Sequence, residues 1–476
     1  MLKNKISRLI SIVGATCLLA FSAGNLSANG NDHGNGNGNG NGNGNGNGNN
    51  HHGHGHHGHG HHGHDNVYSK YLKPVVTAID YHTRMIYLFN YENDKLVIID
   101  PASITGWPGD IPLQHTAVLP GADMIYITSD NTQEHPAYII PLKVEDINWD
   151  AGSASLRLGE LIVADSPDMP AELPFVETVE GSAQNVPDWL LAGSTQIHGP
   201  TLLPYSDYMY WTEFTSDRVR VVDLRTNELA GVDPIVIPDY TEQTHGVMFN
   251  KSGSIGLGTG YFFDNSKIDV YKPNRMTGQL QEIGQIMLGT EESHAAFTHF
   301  VYWLDERYAL TATMQFDKTS LTPSNTENII PPSVWLLDAV DLTAIKIIDS
   351  TDDVNGHGIF RSASDLAVVN GKLYIAEEDS IDYEFAQDGY ISVFDLSDRF
   401  NPVFMKRYKP GEDLPEGYAV AHTISPTPDN RHLIVASWVS GYVLKLDTVT
   451  DTIVKVWGPD DGLVKPHGIY AAGLIR

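Results

Sequence analysis

A short unit of strand-like runs, repeated along the chain with a histidine at its entrance, constrains the fold of this sequence more than any other feature. Its clearest copy is residues 421–447, AHTISPTPDNRHLIVASWVSGYVLKLD. His422 opens an apolar stretch, a Pro-Asp-Asn turn follows, and two runs rich in Val, Ile and Leu are divided by Ser440 and Gly441. Residues 198–223 repeat the plan, and His198 to Asp223 spans the same 25 residues as His422 to Asp447.

Further copies begin HTAVLP, HGVMFN, HFVYWLD and HGIFRSASDLAVV, each followed by a second run and a third that often ends in Asp. No long amphipathic helix interrupts them, while 165–194 and 317–332 read as Pro-, Ser- and Thr-rich loops. Repeats of this kind predict an all-β, seven-bladed β-propeller. Six units carry their own inner strand, and the seventh is assembled from both ends. HGIYAAGLIR then supplies its innermost strand and the runs between Val75 and Asp100 supply the others, which leaves no free edge. Eight blades are the alternative, because KPVVTAID also aligns with KPHGIYAA.

The propeller is expected to occupy 66–476. Before it, Lys3, Lys5 and Arg8 precede an apolar run at 9–20 and small residues at Ser27 and Ala28, the pattern of a secretory signal peptide over 1–28. Residues 29–65 alternate Gly and Asn and then turn His-rich, with nine histidines between His51 and His64. With almost nothing apolar to bury, this reads as a disordered arm suited to capturing Cu(II), Ni(II) or Zn(II). Such a leader directs the protein to the periplasm and removes Cys17, its only cysteine, so any metal must rest on His, Asp or Glu. The formal charge of −29 makes nucleic acid and anionic membranes poor partners.

Of 21 histidines, ten lie in the arm. Most of the others precede inner strands: His198, His245, His357 and His467 in His-Gly, His115 and His422 in His-Thr, and His294 or His299 in the remaining unit. The distance to the second strand is 9 residues for His115 and His299, 10 for His198 and His245, and 11 for His422. His357 departs at 16 and His294 at 14. His82, His135 and His432 fall outside this register and read as surface or packing residues. In a propeller, equivalent inner-strand positions form a ring at one level of the axis. Imidazoles gathered there predict a metal centre drawn from His115, His198, His245, His294, His299, His357, His422 and His467. Seven nitrogens exceed the four of a tetrahedral zinc shell, so a multinuclear site of two or three copper ions is expected, with zinc the alternative.

This ring resembles the His-lined copper propellers of nitrous oxide reductase and thiocyanate dehydrogenase. The nitrous oxide reductase type pairs two histidines in its first ligand segment and adds a domain with a cysteine-ligated copper. Here the segment reads Gln114-His115 and no cysteine follows Cys17, so the thiocyanate dehydrogenase type is closer. The resemblance implies a copper-dependent dehydrogenase that oxidises a small sulfur- or nitrogen-containing anion and passes electrons to a carrier such as cytochrome c. Proton handling is expected from Glu213, Glu377, Glu378 or Lys465. The competing readings are a periplasmic zinc or copper chaperone or store, and an interaction scaffold whose histidines are incidental.

Overall fold

The computed structural model describes residues 73–475, apart from 81, 131–134, 165–196, 214–217, 237–243, 261–266, 290–297, 314–315, 318–328, 331, 350–362, 379–388, 438 and 470–471. The expected signal peptide and arm lie outside the described residues.

Among the described residues seven antiparallel sheets follow one another along the chain, each a propeller blade, and a separate two-stranded pairing of Phe316–Asp317 with Ile329–Ile330 lies at the ends of the stretch expected as a loop at 317–332. Blade 2 consists of Leu113–Val118, Met124–Ser129, Tyr138–Asn148 and Ser153–Leu158, from the axis outward. Blades 3 to 7 begin with the inner strands Ile197–Leu202, Thr244–Phe249, Thr298–Trp303, Ala363–Val369 and Ala421–Pro426. In blade 1, Lys73–Asp80 pairs outward with Ile86–Phe89 and inward with Pro466–His467 and Ala472–Ile475. Val76 faces Ala472 and Ile79 faces His467. KPVVTAID and KPHGIYAA are therefore neighbours in one blade rather than equivalents in two, and the blade count is seven.

The hydropathy pattern follows distance from the axis. The inner strand Leu113–Val118 is buried at every residue, whereas the outer strands Ser153–Leu158 and Thr452–Trp457 alternate between exposed and partly covered residues up to the buried Trp457. Inner strands are covered on both faces by neighbouring blades, so most of their residues are apolar or small, and the buried Gln114, Asp365 and histidines are the exceptions.

Apolar layers between blades form the core. One gathers Ala117, Met209 and Trp211 between blades 2 and 3, and another gathers Tyr210, Val219, Val247 and Phe249 between blades 3 and 4. Trp457 of blade 7 meets Phe89 of blade 1 at 5.1 Å and an edge-on angle, while its indole N–H donates to the carbonyl of Asp94.

The Asp residues that end third strands close the following turns. Asp223, Asp338, Asp395 and Asp447 each accept hydrogen bonds from backbone N–H groups two or three residues on. These are Asx turns, the local reason for that recurring residue.

Candidate metal centre

Five of the eight expected ligands come together. His115 is the third residue of its inner strand, and His198, His245, His422 and His467 are second in theirs. They belong to blades 2, 3, 4, 7 and 1, which are adjacent round the axis, and all are at most 2% exposed. Ring centroids follow in unbroken succession. His245 is 5.4 Å from His198, His198 is 4.5 Å from His115, His115 is 5.6 Å from His467, and His467 is 5.8 Å from His422.

A repeated irregularity in the backbone sets these positions. In blades 4, 5, 6 and 7 the inner strand slips register by one residue against the second strand. The slips fall between Thr244 and Gly246, Thr298 and Phe300, Ala363 and Asp365, and Ala421 and Thr423. The residue left over in each β-bulge is His245, His299, Ser364 or His422. Blade 2 has its bulge at Gln114-His115, and blade 3 has its bulge just after His198.

Blade 6 thus departs from expectation. Its inner strand starts at Ala363 and places Ser364 at the histidine position; His357 lies outside the described residues, as does His294. His299 holds the bulge position in blade 5, and its side chain is outside the described set.

Backbone carbonyls at and beside these positions are taken up by hydroxyls of adjacent blades. Thr212 donates to the carbonyl of His245 at 2.8 Å, Ser364 donates to that of His422, Thr128 to that of Ile197, and Thr116 to that of Gly468. These small polar residues, unremarkable in sequence and placed on inner or second strands, stitch their blades to the inner-strand region of a neighbour close to the imidazoles.

The electrostatics favour neutral rings at His115, His422 and His467. Burial pushes His115 well below the usual imidazole value, and His198, His467, His245 and His422 add to the effect. Burial takes His422 down to about 3. His467 also falls to about 3, through burial and His422, against partial upward pulls from the Gln114 carbonyl and Asp80. Neutral imidazole is the form that ligates metals, so the donor chemistry fits copper or zinc. Among the described residues, no three His, Cys, Asp or Glu side chains are grouped as a ready-made site for one ion. The donors are distributed round the ring instead.

The expected proton-handling groups are dispersed. Glu213 is buried against Arg220, whose guanidinium also pairs with Asp233 at 2.9 Å. Glu377 is buried against Arg407 and Ser392. Glu378 ends the strand Lys372–Glu378, with its side chain outside the described residues. Lys465 is half-buried two residues before His467, and its backbone N–H donates to Asp80.

Sequence reasoning missed two buried carboxyls near the ring. Asp130 accepts from the side chain of Gln114, and Asp365 accepts from the backbone N–H of Ile424. Burial raises both well above the usual carboxyl value. Of the histidines placed outside the register, His82 is exposed, and His135 and His432 are half-buried.

No protein-family model matches the chain, and no curated protein sequence matches it. Solved structures do resemble it in shape. A putative 6-phosphogluconolactonase from Bacteroides uniformis aligns at 13% identity over 83% of this chain and 98% of its own, with a TM-score of 0.52. A hypothetical selenium-binding protein from Sulfolobus tokodaii aligns at 13% over 83% of this chain and 92% of its own, with a TM-score of 0.51. A functionally unknown protein from Desulfotomaculum acetoxidans gives 12% identity over 84% of this chain and 98% of its own, also at 0.51. At such identities the likeness is one of architecture, and by that measure the chain is a seven-bladed β-propeller.

Proposed function

We infer that this protein is a periplasmic copper-dependent oxidoreductase acting on a small anion of the thiocyanate type, with its metal centre at the axial histidine ring. One observation carries the reading: five buried imidazoles, contributed by five adjacent blades, follow one another at centroid separations of 4.5–5.8 Å. Burying this many imidazoles together costs desolvation, which a shared ligand would offset. Their spread round the ring suits two or three ions better than one closed four-ligand shell.

Copper bound there would supply Lewis acidity toward the anion and accept its electrons. The chain's own residues would hold neutral nitrogen donors ready at neutral pH and shield the site between blades. Lys465, beside His467 in sequence, is the candidate for proton handling; Glu213 already compensates Arg220 and is a weaker one. An acidic chain of charge −29 suits a basic electron carrier such as a cytochrome c.

Metal analysis and EPR on protein lacking residues 29–65 test this, followed by thiocyanate-dependent reduction of cytochrome c. Two or three coppers per chain with turnover support the oxidoreductase. One colourless zinc, tightly held and passed to a partner, would replace it with a chaperone. A propeller that retains no metal would sink both.

A further inference from the structure

The five imidazoles are not chemically equivalent, because backbone groups dictate the tautomers of two of them. The Nδ1 of His467 lies 2.9 Å from the carbonyl oxygen of Gln114. A carbonyl can only accept, so Nδ1 of His467 carries the proton and Nε2 keeps its lone pair. At His115 the backbone N–H of Gly199 donates to Nδ1 at 3.2 Å. A backbone N–H can only donate, so neutral His115 carries its proton on Nε2.

The device is built into the fold. Gly199 follows His198 and has a φ of +59°, a left-handed conformation that suits glycine, at the bulge of blade 3. Gln114 is held from the other side by Asp130. His115 therefore receives a hydrogen bond from blade 3, while the residue before it in blade 2 accepts one from blade 1.

Resting on the metal-centre reading above, we propose that the ring is divided in role. His467 offers an Nε2 lone pair and is a metal ligand, whereas His115 offers an Nε2–H and is a hydrogen-bond donor to the anion held beside the metal. For His115 to ligate through Nε2, its proton would have to move to Nδ1, where it would face the N–H of Gly199. Two buried donors pointed at each other lose the hydrogen bond and leave both unsatisfied. His467 ligates through Nε2 with its Gln114 contact intact, the usual arrangement in which the second nitrogen of a ligand histidine donates to a carbonyl.

Long-range 1H–15N correlation on metal-free, 15N-histidine-labelled protein reads the tautomers without any metal. The His115 and His467 signals are identified by their loss in His115→Gln and His467→Gln. The Nε2–H form is expected for His115 and the Nδ1–H form for His467; the same tautomer at both would overturn the proposal. In copper-loaded protein, His467→Gln should lower copper per chain. His115→Ala should leave copper per chain unchanged and weaken thiocyanate binding about tenfold, the worth of one buried hydrogen bond. Copper loss in His115→Ala matching that in His467→Gln, with unchanged circular dichroism, would make His115 a ligand and defeat the proposal. If the unmutated protein bound no copper, the function proposed above would fall, and the role division with it, even where the tautomers proved correct.

Discussion

The imidazoles of His422 and His467 lie nearly parallel, at 16° with centroids 5.8 Å apart, although one belongs to blade 7 and the other to the strand that completes blade 1. Stacked and buried, neither ring is placed to carry charge at neutral pH. That single relationship joins the last seam of the propeller to its candidate site.

It makes stability acid-sensitive in a defined window. A histidine whose folded pKa is depressed favours the fold fully above its unfolded value, near 6.5, and loses that contribution as pH falls toward the folded value. His422 and His467, both pushed down to about 3, should each weaken the fold by about 1.4 kcal/mol per pH unit below 6.5. Asp130 and Asp365, pushed upward by burial, act with the opposite sign. The check is therefore a difference: urea unfolding of the metal-free protein between pH 4 and 7, with and without His422→Phe. A shallower pH dependence is expected in the variant, and an identical slope would show that His422 is not held neutral by the fold.

The seam itself should be sensitive to Trp457. It is fully buried, packs edge-on against Phe89 and donates to Asp94. Trp457→Ala should cost about 3–5 kcal/mol in denaturant unfolding. A loss below about 1 kcal/mol would mean that blades 7 and 1 close without this contact.

Arg220 bridges Glu213 and Asp233 with all three side chains nearly inaccessible. Arg220→Met would strand two buried carboxylates and should cost about 3–5 kcal/mol, far more than an exposed pair. Thermal or urea unfolding reads this directly. A near-neutral result would show that the carboxyls take up protons without penalty.

Gly389 offers a way to disturb the ring without touching it. A methyl group there would come within 2.6 Å of the backbone nitrogens of Val420 and Ala421, immediately before His422. Gly389→Ala should destabilise the protein by about 1–3 kcal/mol through overpacking. It should also shift His422 enough to lower copper occupancy in the loaded protein. Retained occupancy and stability would mean that the 419–421 segment yields easily.

Much of this arrangement is local chemistry and could be read from the chain alone. The period of the short runs specifies an all-β propeller, since the runs have the length and hydropathy of strands, while the choice between seven and eight blades fell to the pairing of Lys73–Asp80 with the C-terminal strands. Asp223, Asp338, Asp395 and Asp447 end third strands because a carboxylate closes the turn that follows, a matter of two or three residues. Histidines at the entrances of inner strands were likewise visible from their shared distance to the second strand. What the tertiary structure alone decided is register. A one-residue bulge hands the axial position in blade 6 to Ser364; the count along the sequence marks His357 as out of step, but which residue takes its place depends on hydrogen bonds with the neighbouring strand. The same holds for the tautomers of His115 and His467, which are set by Gly199 and by a carbonyl 353 residues away in the chain. Side-chain type is written in the sequence, whereas which nitrogen bears the proton is settled by whatever the folded backbone brings within 3 Å or so of it.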